Sequence, residues 1–71
     1  MKNQIQKRIF LTKLNLDFLP IKKDNNLWVC QVWKNDKYLK TGKKEYKTPQ
    51  QALIETESIF YEKYSKDLLK N

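Results

Sequence analysis

The segment LWVCQVWKNDKYLKTGKKEYKTPQQA, residues 27–52, decides the fold, because two strand patterns, a turn and a helix start follow one another within it. Its first seven residues are apolar apart from one glutamine, and they include two valines and two tryptophans, which are typical of strands. Successive side chains of a strand point to opposite faces. One face would carry Trp28, Cys30 and Val32, and the other Val29, Gln31 and Trp33.

A turn and a second strand are expected next. Asn35 and Asp36 tolerate left-handed backbone conformations, so the triplet KND predicts a tight turn, and KYLKT beyond it predicts the second strand of a hairpin. Gly42 is the only glycine of the chain and marks a bend or a bulge. Residues 38–47 therefore form either one bulged strand or two short strands separated at Gly42.

The end of the segment predicts the start of a long helix. Thr48, Pro49 and Gln51 occupy the N-cap, first and third positions of a capping box. Apolar residues then recur at helical spacing, with Thr56 and Ile59 at the flank of the stripe; its main members are Leu53, Phe60, Tyr64 and Leu68. The opposite face is polar, so an amphipathic helix from Pro49 to about Leu69 is expected to pack on the sheet.

Glu57 interrupts the apolar stripe of this helix, because it lies about 40° from Leu53 on the helical wheel. A carboxylate in this position is a candidate catalytic acid, the partner of a lysine on the sheet, or an edge residue that extends into solvent. The structural roles are favoured, since no second acid or base has a predictable place beside it.

The first 26 residues give weaker signals. LNLDFLPI, residues 14–21, predicts a strand that pairs with residues 27–33 across the loop KKDNN. NQIQKRIFLTK, residues 3–13, fits a short helix and an extended arm equally well, because its apolar residues are spread around the helical wheel.

These patterns together predict an α+β fold: an antiparallel sheet of three strands, or four if residues 38–47 divide, with a long C-terminal helix packed on one face. The N-terminal element is left open between helix and arm. The side chains expected between sheet and helix are Trp28, Cys30, Val32, Leu39, Tyr46, Leu53, Phe60 and Tyr64.

Length and charge indicate the class of protein. The 71 residues predict a single domain, 1–71, and the net charge is +7. Residues 1–48 carry twelve cationic side chains against four carboxylates, whereas residues 49–71 carry three against four. Such a basic region is typical of proteins that face nucleic acid or another anionic surface. An AT-rich genome, which enriches lysine, is the alternative explanation.

The chain is expected to be soluble and cytoplasmic, without membrane association. No stretch approaches the roughly 20 apolar residues of a membrane-spanning helix. Lys13 and Asp17 interrupt the apolar residues near the N-terminus, so we interpret that region as part of the fold rather than a signal peptide. The single cysteine cannot form an internal disulfide, as suits a reducing compartment.

Catalytic, metal and cofactor chemistry find little support. The chain has no histidine, the usual general base near neutral pH, and one cysteine is too few for the common zinc sites. Cys30 lies in the most apolar strand, where a buried, inert thiol is expected. A single glycine excludes glycine-rich phosphate-binding loops. We predict a protein that is not an enzyme and uses neither metal nor cofactor.

A binding function has more support. Residues 34–47 carry six lysines against two acids, interleaved with Tyr38 and Tyr46. Lysines can neutralise phosphates, and exposed aromatic rings such as that of Trp33 can stack on bases. Alternatively, the lysines keep an edge strand soluble and Trp33 packs inside. The predicted nucleic-acid-binding residues are Gln31, Trp33, Lys34, Lys37, Tyr38, Lys40, Lys43 and Lys44.

The pattern W-V-C-Q-V, K-Y-L-K and E-Y-K-T-P-Q-Q-A resembles DNA-binding modules built from a three-stranded sheet and a helix. These include the plant ethylene-response-factor domain and the arm-site-binding N-terminal domain of tyrosine-type integrases. The resemblance is carried by Trp28, Val29, Cys30, Val32, Lys37, Leu39, Tyr46, Thr48 and Ala52. In those families the sheet face away from the helix lies in the major groove. The resemblance therefore implies that double-stranded DNA is faced by Gln31, Trp33, Tyr38 and Lys40.

Contacts mainly to phosphate are expected if the chain binds nucleic acid. Its one arginine is Arg8, and lysine lacks the bidentate fork with which arginine recognises guanine. Phosphate contacts position a protein on nucleic acid and carry no sequence information directly. The expected sequence preference is therefore weak.

A second resemblance leads to another function. A tryptophan-rich strand followed by Y-x-T-P-x-x-A is similar to small proteins of phages and mobile elements, some of which bind and inhibit a host protein. It implies a partner with an acidic protein surface, and an exposed edge strand would also permit a homodimer. We rank nucleic-acid binding first and protein binding second.

Overall fold

The computed structural model describes residues 4–69, with side chains described as far as Lys66. In chain order the elements are α1 (Gln4–Lys13), β1 (Leu16–Lys22), β2 (Trp28–Lys34), β3 (Lys37–Thr41) and α2 (Pro49–Leu69). The strands form one antiparallel sheet in the order β1-β2-β3, and both helices pack on it. The predicted α+β fold is confirmed.

β1 and β2 pair along their whole length. The register places Leu16 opposite Lys34 and Lys22 opposite Trp28. Asn26 adopts the left-handed conformation, with φ at 66°, and the Asn25 side-chain oxygen accepts a hydrogen bond of 3.1 Å from the Leu27 amide. These two asparagines turn the chain between the strands, so the strand expected in residues 14–21 is confirmed with its start at Leu16.

The connection between β2 and β3 is the predicted tight turn. Asn35 and Asp36 have φ angles of 54° and 64°, the two left-handed residues that a two-residue hairpin of the I′ type requires. Beyond it, Trp33 lies opposite Tyr38 but Val32 lies opposite Lys40, so Leu39 is one extra residue in β3. This is a β-bulge, and it breaks the alternation of faces along the strand.

The bulge overturns one expectation about the core. Leu39 was expected between the sheet and the helix, but its side chain is 45% exposed. The prediction was wrong because a strict two-residue period was assumed through a position where β3 carries one residue more than β2.

The fourth strand does not form. β3 ends at Thr41, before Gly42, and the chain returns to the sheet at a single residue. There the Trp28 amide donates to the Tyr46 carbonyl at 2.7 Å, and the Tyr46 amide donates to the Trp28 carbonyl at 2.8 Å. This isolated bridge buries the Tyr46 ring against Cys30 and Ala52.

α2 has the bounds that the sequence predicts. The Gln51 amide donates to the Thr48 hydroxyl at 3.1 Å, which satisfies one of the free N–H groups at the helix start. Ala52, Thr56 and Phe60 are buried along its inner face. Leu68, expected at the far end of the apolar stripe, lies outside the residues whose side chains are described.

The N-terminal element is a helix and not an extended arm. α1 packs on α2, with the Phe10 ring meeting the Tyr61 ring edge-on at 5.2 Å and Leu11 1% exposed in the core. Because the apolar residues of α1 are spread around its circumference, only some of them can be buried. Ile5 and Ile9 are 67% and 51% exposed.

Glu57 connects the two helices. Its side chain accepts hydrogen bonds from Arg8 Nε at 2.8 Å, from Arg8 Nη2 at 3.1 Å and from Gln4 Nε2 at 2.8 Å. The carboxylate is buried rather than extended into solvent. Its cationic partner is Arg8 of α1, not the sheet lysine that the helical pattern suggested, because α1 covers this side of α2.

The core has two connected parts, and Phe18 packs against both of them. One part consists of Leu11, Leu16, Val32 and Phe60, and the other of Cys30, Tyr46 and Ala52. Cys30, Val32, Tyr46 and Phe60 are thus buried as expected, while Trp28, Leu53 and Tyr64 are half-buried.

Cys30 offers a direct probe of this core. Burial raises the pKa of its thiol, against a smaller opposing effect of a hydrogen bond with the Thr56 side chain. We expect alkylation of Cys30 in the folded protein at pH 8 to be at least about 100-fold slower than in urea, since the central strand must open first. Mass spectrometry over a time course measures this, and rapid labelling without denaturant would contradict the burial.

Candidate nucleic-acid interface

The sheet separates the aromatic residues of the candidate site from its lysines. The outer face, defined as the sheet face away from α2, carries Gln31 and Trp33 of β2 together with Tyr38 and Thr41 of β3. The opposite face of β2 contributes Cys30 and Val32 to the core. The bulge then places Lys40 opposite Val32, on the helix side of the sheet.

Three predicted site residues form a connected group on the outer face. The Trp33 ring meets the Tyr38 ring edge-on at 5.8 Å, and Trp33 Nε1 donates to Gln31 Oε1 at 3.3 Å. The hydroxyls of Tyr38 and Thr41 lie 2.5 Å apart. Trp33 is half-buried and Tyr38 is 53% exposed, so both rings remain accessible at their edges.

The charged neighbours of Trp33 are acidic. Asp17 lies directly opposite Trp33 in the register of β1 and β2. Asp17 and Asp36 line a shallow hollow together with Trp33 and Leu19. Two carboxylates beside the ring oppose the approach of a phosphate. The outer face is therefore aromatic and locally acidic, rather than aromatic and basic.

The lysines lie on the helix side of β3 and in the loop that follows. Lys34 places its Nζ 5.2 Å from the centre of the Tyr64 ring of α2, and Lys37 lies opposite Lys34 in the sheet. Lys63 of α2 approaches the same Tyr64 ring, at 5.9 Å. We call this set the lysine band; its members are Lys34, Lys37, Lys40, Lys43, Lys44 and Lys63.

Lys40 therefore departs from the arrangement that the DNA-binding modules imply. The resemblance directs it to the outer face with Gln31, Trp33 and Tyr38, but Lys40 lies across the sheet from them, beside Val32 and the helix. The extra residue Leu39 is the reason, because it reverses the face of every later β3 position relative to simple alternation.

A groove of about 430 Å³ lies between β3 and α2, and three members of the lysine band line it. Its apolar floor consists of Val32, Ile59 and Phe60. Its rim on the β3 side consists of Lys40, Lys43 and Lys44. Ile59 is 58% exposed, although Thr56 and Phe60 close to it on α2 are buried. We call this feature the β3–α2 groove.

The two acids of residues 34–47 do not neutralise the band. Glu45 pairs with Lys23, and hydrogen bonds from Lys23 and Asn25 lower the pKa of its carboxyl. Asp36 lines the hollow on the outer face. Both negative charges are thus directed to other groups, and the lysines at the groove keep an excess of positive charge.

Tyr46 closes one end of the groove as a neutral phenol. Burial raises the pKa of its hydroxyl, and the nearby carboxylate of Glu55 adds to the effect. The Lys44 ammonium lies 5.6 Å from the centre of this ring. Glu55 is thus an acidic neighbour of Tyr46, whereas Lys40, Lys43 and Lys44 supply positive charge along the β3 side of the groove.

The part of the chain with described side chains contains no group of three or more Cys, Asp or Glu side chains close enough to hold a metal ion. Among residues 4–69, neither helix is long and apolar enough to cross a membrane.

Ile59 lines the groove and Lys63 lies near the Tyr64 ring, but neither was predicted as a site residue. Both lie on α2, four residues apart, and Ile59 was assigned to the flank of the apolar stripe. Helical spacing predicts that the two residues lie on one side of α2. Whether this side faces β3 depends on how the helix packs on the sheet, and helical spacing does not predict that.

Comparison of the chain with protein-family models, curated proteins and solved structures finds no match. The residues and their arrangement therefore carry the functional inference.

Proposed function

We propose that this protein binds nucleic acid without catalysis, chiefly through contacts between the lysine band and backbone phosphates. The single observation that carries the proposal is the convergence of lysines from three segments on one side of the molecule. Lys34 ends β2, Lys40 lies in β3 and Lys63 projects from α2, yet all three border the β3–α2 groove or the adjoining Tyr64 ring.

The chemistry of the band suits phosphate recognition. An ammonium group is a point charge on a flexible stem, so it can follow a phosphate backbone without a fixed bidentate geometry. Each phosphate that a lysine neutralises releases condensed counterions, which adds affinity at low salt. The expected binding is strongly salt-dependent and shows little preference for sequence.

The salt dependence of affinity tests the proposal. Binding of a labelled random-sequence DNA is measured by fluorescence anisotropy at several salt concentrations, for the parent and for the double variant Lys40→Gln/Lys43→Gln. The logarithm of affinity is expected to fall linearly with the logarithm of salt concentration. If both lysines contact phosphate, the double variant should reduce that slope by about 1.8, or roughly 0.9 for each contact.

The matched control is Lys13→Gln/Lys22→Gln, which removes the same charge from exposed lysines of α1 and β1. It should leave the slope close to that of the parent. Equal effects of the two double variants would show that net charge alone drives binding, and would contradict a localised interface. Absence of binding at low salt would refute nucleic-acid recognition.

Binding of a protein partner is the second candidate, and the outer face favours it. Large exposed hydrophobic side chains commonly mark contact sites, and Tyr38 and Leu19 are 53% and 49% exposed on this face. The half-buried Trp33 contacts the Tyr38 ring and lines a hollow with Leu19. Asp17 and Asp36 suit a partner with basic residues better than a polyanion. In the anisotropy assay, Trp33→Ala tests whether the outer face contacts DNA. Unchanged DNA affinity would show that Trp33 does not contribute to DNA binding, which leaves the outer face to a protein partner.

A further inference from the structure

The β3–α2 groove contains an apolar surface that phosphate binding does not require. Ile59 is 58% exposed within the floor, beside Val32 and Phe60. A site that contacts only a phosphate backbone needs cations and polar groups, whereas apolar surface left open to water is unfavourable unless something covers it. The groove therefore fits a ligand that is anionic at its edge and apolar at its centre.

We propose that this groove seats an unpaired nucleobase, so that the protein prefers single-stranded nucleic acid to duplex. This inference rests on the proposed function and adds the class of nucleic acid. A base covers the apolar floor with its ring, while the phosphates on either side of it meet the lysines of the rim.

The dimensions and the polar groups of the groove agree with this occupant. Its volume of about 430 Å³ lies within the range of roughly 300–1,000 Å³ that is usual for small-molecule sites. Thr41 and Thr56 line it as well, but the Thr41 hydroxyl pairs with that of Tyr38 and the Thr56 side chain is hydrogen-bonded with Cys30. The ammonium groups of the rim lysines are therefore the polar groups available to a nucleotide. Tyr46 is neutral there, because burial raises the pKa of its hydroxyl.

Charge is distributed along the groove as a strand would require. Lys40, Lys43 and Lys44 lie on the β3 side of the groove. Lys34 and Lys63 lie outside it, near the Tyr64 ring that stacks on Phe60 of the groove floor. A single strand can place successive phosphates along this line while one base turns inward. In a duplex the bases are paired and stacked, and extruding one costs a few kcal/mol. The same lysines would then contact phosphate while the groove stays empty.

The outer face is the less suitable place for a base. Its rings could stack on bases, but Asp17 and Asp36 surround Trp33 and repel the phosphates that accompany each base. The groove combines apolar surface with positive charge, and the outer face combines aromatic surface with negative charge. The groove is favoured because a nucleotide carries both a ring and a phosphate.

Three probes with equal numbers of phosphates test the inference: a single strand of oligothymidylate, the corresponding abasic strand, and a hairpin duplex. Anisotropy titrations at low salt give the dissociation constants. The single strand is expected to bind about tenfold more tightly than the abasic strand or the duplex, as one base in contact contributes roughly 1–3 kcal/mol.

Ile59→Ala should reduce the affinity for oligothymidylate to that for the abasic strand and leave the abasic affinity unchanged. The matched control is Ile54→Ala, on the same helix, where the side chain is 41% exposed and does not line the groove. It should change none of the three affinities. Circular dichroism verifies that both variants are folded, which the exposure of both side chains favours.

The outcomes distinguish this inference from the proposed function. Equal affinity for the three probes, with a steep salt dependence, overturns the base-binding groove and leaves phosphate recognition by the lysine band intact. Tighter binding of the duplex than of the single strand also overturns the base-binding groove and leaves phosphate recognition intact. Absence of binding to any probe at low salt overturns both proposals.

Discussion

Replacing Phe60 with alanine is expected to lower the free energy of unfolding by about 3–5 kcal/mol. Phe60 is 7% exposed, its ring meets that of Phe18 edge-on at 5.5 Å, and it stacks on Tyr64 at 6.1 Å. It shares the larger core part with Leu11 of α1 and Val32 of β2. The substitution leaves a cavity where α1, the sheet and α2 meet.

The loss expected for Phe60→Ala is large relative to the total free energy of unfolding of the protein. A domain of 71 residues is expected to have a free energy of unfolding of about 4–11 kcal/mol. Phe60→Ala therefore removes roughly a third or more of it, and a parent at the lower end of this range would become substantially unfolded. Urea unfolding followed by circular dichroism measures the difference. Ile54→Ala on the same helix is the control, with an expected change within about 0.5 kcal/mol. A cost below about 1 kcal/mol for Phe60→Ala would contradict its central position.

Arg8→Met is expected to cost about 2–3 kcal/mol of stability, because it removes the cationic partner of a buried carboxylate. The Glu57 side chain is 3% exposed and that of Arg8 is 51% exposed. Removing one member of a fully buried pair costs about 3–5 kcal/mol, and the partial exposure of Arg8 reduces the estimate. Hydrogen bonding to Glu57 and its charge raise the pKa of Arg8, so the guanidinium is charged across the pH range of such experiments.

A double-variant cycle separates the charge from the packing. Arg8→Met/Glu57→Leu replaces both partners with apolar side chains, so no buried charge is left without its cation, and part of the lost stability should return. Thermal and urea unfolding of the parent, both single variants and the double variant give the coupling energy. If the double variant loses as much as the two single variants together, the pair does not couple α1 to α2.

The local patterns predicted much of the fold because each acts over a few neighbouring residues. Asn35 and Asp36 favour left-handed conformations by themselves, and Thr48 caps α2 through its own hydroxyl. The alternation in residues 28–33 depends on strand geometry, and it correctly placed Cys30 and Val32 in the core. In each case the decisive interaction lies within the segment.

Predictions failed where the outcome depended on a neighbouring element. The face of Leu39 depends on the register between β2 and β3, which includes a bulge that no single residue marks. The partner of Glu57 depends on α1, whose own apolar pattern did not distinguish a helix from an arm. Long-range pairing of this kind is set by how elements fit together rather than by spacing along one of them.

In the candidate site, too, some features follow from the sequence and others from the packing of separate elements. The sequence by itself determined which side chains the site has to work with: a lysine-rich hairpin and loop and two aromatic residues, Trp33 and Tyr38. It also determined that Gln31 and Trp33 share a face, because they lie two positions apart on one strand.

Only the tertiary structure decided how those side chains are combined. The extra residue in β3 moves Lys40 to the helix side, and the seating of α2 brings Ile59 into the same groove. β1 places Asp17 opposite Trp33. The physical reason is that a site on a sheet is assembled from side chains of several elements. Register and packing select which of them meet, and here they place positive charge with an apolar groove and negative charge with the aromatic rings.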